Sequence, residues 1–165
     1  MIRNAARLFC IAALLTAFST ESSAAGAADV AALHAADSAW EKAYNGGDVE
    51  GVVSLYDANA VVMPPGAPPA KGREAIRAFF TKDMAEAGKA GGRFLLGAKP
   101  DGGVSGSWGW SSGTYVVKDK SGKIVETGKY LSVSRKVGGK WLYVRDIWNA
   151  DGPAPAAEPA TPQKK

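Results

Sequence analysis

A chain of 165 residues with 46% apolar side chains has the material for one ordinary domain with a buried core. Its 20 basic and 16 acidic residues leave a formal charge of only +4, spread along the chain without a basic run and interleaved aromatics, so nothing in it favours a nucleic-acid partner. One histidine (His34) and one cysteine (Cys10) are too few for the usual zinc sites, and no Gly-rich phosphate loop joins a strand to a helix; neither metal nor cofactor is expected.

The first 25 or so residues differ from the rest. Arg3 and Arg7 precede an apolar run from Leu8 to Phe18, and small residues follow through Ala27, the order of a secretory signal peptide with cleavage after Ala24, Ala25 or Ala27. The run is shorter than the roughly 20 residues a spanning helix needs, and no later stretch approaches that length. The expectation is an exported protein, periplasmic or secreted, without a membrane span. Removing this segment takes away Cys10 and leaves 18 basic and 15 acidic residues, so the fold must rest on its core and not on disulfides.

From Asp29 to Tyr44, Val30, Leu33, Asp37, Trp40 and Tyr44 recur on one helical stripe. Asn45-Gly46-Gly47 ends that helix, and Asp48 stands as N-cap of a short second one carrying Val49, Val52, Val53 and Tyr56. A short strand at Ala60 to Met63 leads into the Pro-rich loop 64–69. A third helix follows from about Arg73 to Ala87, with Ile76, Phe79, Phe80 and Met84 as its apolar face, and glycines at 88, 91 and 92 stop it. Strands are expected at 93–99, 104–110, 113–118, 127–136 and 140–149, with turns at Asp119-Lys120-Ser121-Gly122 and Gly138-Gly139. Helices first and hairpin-linked strands afterwards predict an α+β domain over about 28–151, three helices packed on an antiparallel sheet. The Pro/Ala-rich segment 153–165 reads as a disordered tail.

Strict alternation along the last strand places Leu142, Val144, Asp146 and Trp148 on one face and Trp141, Tyr143, Arg145, Ile147 and Asn149 on the other. If the first face looks inward, Asp146 is a carboxylate in apolar surroundings, where desolvation raises its pKa and suits it to acid–base work. Asp37 raises the same question from the helix. The plainer alternative is that each caps backbone or pairs with a cation at the rim. Trp40, Tyr44, Tyr56, Tyr115, Tyr130 and Trp148 form a second signal, because buried hydroxyl and indole groups need partners that a wet or ligand-filled cavity supplies. Residues 106–113 superficially resemble a hydrolase nucleophile motif, but within β-structure and with no partner histidine their glycines read as marks of curvature. His34 reads as a surface residue.

Asp37-x-x-Trp40-x-x-Ala43-Tyr44-Asn45-x-Gly47-Asp48, Leu55 to Ala60, Pro64-Pro65-Gly66 and Gly72 to Ile76 resemble the helical half of ketosteroid-isomerase-like (SnoaL-like) proteins of the nuclear transport factor 2-like superfamily. Gly113-Thr114-Tyr115, Gly128 to Leu131 and Gly139-Lys140-Trp141 through Asn149 are similar to a branch of that superfamily known only as a domain of unknown function. The resemblance spans about 29–151. It implies a cone-shaped fold in which the helices and a strongly bent sheet enclose a pocket, with Asp146 and Trp148 on the pocket side, commonly in a homodimer. Matched by position, the isomerase's catalytic places hold Met63, Trp40 and Ser132, which cannot perform its proton transfer.

Three readings follow. The first is an exported protein that binds a small, partly apolar molecule, with Asp146 orienting a polar group and Asp37, Trp40, Tyr44, Tyr56, Met63, Tyr115, Tyr130, Ser132, Val144 and Trp148 around it. The second is a cofactor-independent isomerase, dehydratase or cyclase-like enzyme using Asp146 as general acid or base and Tyr56 or Tyr130 as donor to developing charge. The third is a dimeric interaction protein using the outer sheet face near Leu131, Val133, Tyr143 and Ile147.

Overall fold

The computed structural model describes residues 10–152, with side chains from Gly26 onward. The expected signal segment (1–25) and tail (153–165) lie outside the described side chains. Helix α1 (Cys10–Asn45) begins well before the expected Asp29, since the Ala-rich stretch ahead of it contains no proline and only Gly26 to weaken it. Among the described residues no helix is long and apolar enough to cross a membrane.

Helix α2 (Val49–Ser54) is capped by Asp48, whose carboxylate accepts the Gly51 N–H at 2.8 Å. It ends earlier than its apolar spacing suggested, and Tyr56 opens strand β1 (Tyr56–Met63) instead. A two-residue strand β2 (Ala70–Lys71), not foreseen from the sequence, leads into α3 (Gly72–Ala90), which Gly91 closes in the left-handed conformation at φ 65°. The remaining strands are β3 (Arg93–Leu96), β4 (Asp101–Ser105), β5 (Trp108–Lys118), β6 (Ile124–Val137) and β7 (Lys140–Ala150). The expected strand 104–110 is a hairpin turning at Gly106, φ 58°, so that Trp108 and Trp110 belong to the same strand as Tyr115.

The sheet runs β2-β1-β7-β6-β5-β3, with β4 also paired to β5. It is curved, open at its edges and mixed rather than purely antiparallel, because the meander β5-β6-β7 returns β7 alongside and parallel to β1. That long-range pairing leaves no mark in local turn chemistry. Edge strand β3 is covered by α1. Asn45 Nδ2 donates to Phe94 O at 2.7 Å, Phe94 N–H donates to Asn45 Oδ1 at 2.9 Å, and Leu96 N–H donates to Glu41 Oε2 at 3.0 Å.

The core lies between α2, α3 and the β1–β7 end of the sheet, where Val52, Val53, Tyr56, Val62, Ile76, Phe80 and Tyr143 are buried together. Phe80 is the largest apolar side chain that α3 buries, and truncating such a residue costs about 3–5 kcal/mol. Away from this core the sheet bends off the helices and leaves a hollow.

Candidate functional site

The hollow is a cavity of about 270 Å³ bounded by α1, α3 and strands β3, β5, β6 and β7, with Pro65 of the Pro-rich loop at its margin. Helical periodicity brings Asp37, Trp40 and Tyr44 to it from α1, and α3 adds Phe80 and Asp83. Trp40 and Tyr44, four residues apart, stack with centroids 4.9 Å apart, and the Trp40 ring meets Phe94 edge-on at 5.3 Å. Phe94 in turn stacks on Tyr115 at 5.0 Å, so one run of rings lines the wall from helix to sheet.

Two glycines make room for rings on the concave face. Gly113 pairs with Tyr130 across β5 and β6, and Gly128 pairs with Tyr115. A Cβ on Gly113 would stand 2.8 Å from the Tyr130 ring, and one on Gly128 would stand 2.4 Å from both the Tyr115 ring and the Asn149 carbonyl oxygen. The rings therefore lie across bare backbone and leave the space above them open.

Two buried carboxylates face this space. Asp146 Oδ2 accepts the Tyr56 hydroxyl at 2.6 Å and its Oδ1 accepts Ser132 Oγ at 2.8 Å; Trp40 Nε1 donates to the Tyr56 oxygen at 3.0 Å. Asp37 Oδ1 accepts the Tyr143 hydroxyl at 2.6 Å and Ser111 Oγ at 3.1 Å, and its Oδ2 accepts Tyr130 at a long 3.4 Å. Burial pushes both carboxyls above the ordinary value of 3.8, against the opposing pull of these hydroxyl donors; the charge of Asp37 pushes Asp146 further up. Neither pairs with a cation among the described residues, so the plainer alternative of a rim salt bridge does not hold for either.

Nearer the opening, Asp83 Oδ2 accepts the Tyr44 hydroxyl at 2.6 Å and Glu126 Oε1 accepts the Tyr115 hydroxyl at 2.8 Å. Burial also raises the Asp83 carboxyl, and the neighbouring Glu86 and Glu126 add to it.

Of the residues singled out in the sequence, Asp37, Trp40, Tyr44, Tyr115, Tyr130, Ser132, Asp146 and Trp148 line the cavity. Tyr56, Met63 and Val144 do not. Tyr56 is fully buried in the core with its hydroxyl committed to Asp146, and Met63 is paired within the sheet opposite Ile147. Val144 is the extra residue of a β-bulge: Val133 opposes Arg145 but the next residue, Ser134, opposes Tyr143. This bulge corrects the strict alternation. It turns Trp141 and Tyr143 to the Asp146 side and leaves Leu142 on the other, so Tyr143 is a donor to Asp37 and not an outer-face residue.

The sequence reading missed Tyr143, Ser111, Asp83 and Glu126. Ser111 lies within the glycine-rich segment 106–113, where alternation with Gly109, Gly113 and Tyr115 was the available signal for an inward polar side chain. His34 is half-buried, not on the surface, and its Nε2 has no hydrogen-bond partner among the described residues.

The model of the SnoaL-like domain matches residues 36–142, a span that includes most of the cavity lining but ends before Tyr143, Asp146 and Trp148. The chain belongs to this family. Among solved structures it is similar to a nuclear transport factor 2-like protein with a cystatin-like fold from Novosphingobium aromaticivorans, at 20% identity and TM-score 0.67, covering 92% of this chain and 95% of that one. It is similar also to a ketosteroid isomerase-like protein from Erwinia carotovora atroseptica, at 20% identity and TM-score 0.59 over 76% and 98% of the two chains. A third is a candidate dehydratase of the same superfamily from Streptomyces avermitilis, at 21% identity and TM-score 0.62 over 73% and 94%. At these identities the likeness is one of fold. No curated protein matches the chain.

Proposed function

We propose that this SnoaL-like protein binds a small, partly apolar molecule in the cavity between α1, α3 and the bent sheet, with Asp37 and Asp146 orienting its polar group. The observation that carries this reading is the pair of buried carboxylates, each held by hydroxyl donors and turned into a ring-lined space. Evolution toward packing alone favours apolar side chains at such positions, because an uncompensated buried carboxylate is destabilising. The volume suits a ligand smaller than a typical drug. Native mass spectrometry of protein purified from its own cells tests this: a retained compound at one per chain is expected, and a bare chain that stays bare across a broad metabolite panel refutes it.

A second reading, proton-transfer catalysis of an isomerase, dehydratase or cyclase-like kind, is favoured by the raised carboxyl of Asp146. Asp146→Asn separates the two. It abolishes turnover in an enzyme, and in a binder it leaves the ligand bound with altered affinity and no product in either protein.

Export and homodimerisation complete the proposal. The basic–apolar–small order of the first 27 residues supports export. The outer sheet face supports a dimer, since exposed Leu131 and Ile147 are direct cross-strand neighbours and Trp110 opposes Val133 beside them.

A further inference from the structure

The cavity has a one-sided charge inventory. Asp37, Asp83, Glu126 and Asp146 all line it, whereas among the described residues no lysine, arginine or histidine does. This runs against the chain as a whole, which is net basic. Four basic side chains are paired with acids outside the lining: Arg77 with Glu50, Lys129 with Asp151, Arg135 with Asp57 and Lys136 with Asp29.

Among the described residues, the hydrogen bonds the four acids receive come only from uncharged hydroxyls, and Asp37 Oδ2 accepts just one, at 3.4 Å. An anionic ligand would enter a field of its own sign, and a neutral one would leave the buried pair with only His34, one helical turn from Asp37, as a neighbouring basic group and none at Asp146. A cation meets acceptors at two depths, with Asp37 and Asp146 at the buried end and the exposed Glu126 near the opening. It also meets the rings of Trp40, Tyr44, Phe94 and Tyr115 in the lining, whose π-faces attract positive charge.

Resting on the binding reading above, we propose that the natural ligand is a small organic cation, an ammonium group carried on an apolar body, seated with its charge toward Asp37 and Asp146. The ligand's charge supplies the missing counter-ion, and its body replaces water against the rings.

Three probes of one shape and different charge test the assignment: 2-phenylethylammonium, 2-phenylethanol and phenylacetate, titrated against the full chain by calorimetry. The ammonium is expected to bind at least about tenfold more tightly than the alcohol, with phenylacetate the weakest. Asp146→Asn and the exposed Glu126→Gln, which carries little risk to folding, are each expected to weaken the ammonium at least about fivefold more than they weaken the alcohol. If the alcohol binds as well as the ammonium, the cation assignment is overturned and the pocket reading survives. Ammonium binding that neither variant weakens places it outside the cavity and also overturns the assignment. If none of the three binds at millimolar concentration, the pocket reading fails and takes the assignment with it.

Discussion

Asp146 concentrates the physical argument at the scale of a single residue. Its folded-state pKa lies above the ordinary 3.8 because burial outweighs two hydroxyl donors. A raised carboxyl favours the folded state fully only below its unfolded pKa, and that contribution is lost as pH rises through the folded value. Asp146→Asn keeps a neutral, similarly shaped group at the site. Its stability relative to the parent is therefore expected to increase as pH rises from about 4 to 7, read by urea denaturation at each pH. A difference that stays flat, or that falls with pH, contradicts a buried, unpaired carboxylate. That Asp146 could face a hollow was readable from the sequence; that Tyr143 joins it was not, since the bulge at Val144 breaks the period-two rule on which any such reading depends.

Among the elements, β5 and β6 shape the cavity through what they omit. Tyr115 lies over Gly128 and Tyr130 over Gly113, so each ring rests on a cross-strand neighbour that has no side chain. Gly128→Ala places a methyl against both the Tyr115 ring and the Asn149 carbonyl, and backbone yields less readily than a side chain. A loss of about 1–3 kcal/mol is expected in denaturant unfolding, together with displacement of Tyr115 from Glu126. An Ala variant as stable as the parent would show that the ring does not lie as described. Here the sequence was informative in kind but not in position. The glycines of 106–113 were read as marks of curvature, while the actual reversal at Gly106 and the inward Ser111 required knowing which strand pairs with which. The helices were more legible, because the stripe from Val30 to Tyr44 and the Asp48 cap are local patterns.

At the scale of the whole molecule, order of elements and composition were enough for an α+β domain, but the parallel β1–β7 pair comes from contacts almost a full domain apart in sequence. The same pairing sets Asp146 near Tyr56, ninety residues away, and so completes one of the two carboxylate sites. The opposite sheet surface makes a separate prediction. Ile147→Asp, on the exposed outer face, is expected to convert a dimer into a monomer in sedimentation equilibrium without changing ligand affinity. A parent protein that is already monomeric at all concentrations contradicts the dimer.

The five tryptophans offer the most direct test of the central claim that the space between helices and sheet receives a ligand. Trp40 and Trp148 line the cavity, whereas Trp108 and Trp110 are exposed on the outer face and Trp141 is buried away from it. Indole N–H resonances followed by ¹⁵N-edited NMR during titration with 2-phenylethylammonium or 2-phenylethanol report on each site separately. Saturable shifts at Trp40 and Trp148, with Trp108 and Trp110 unmoved, are expected; shifts confined to the outer pair, or none at any indole, would contradict the account.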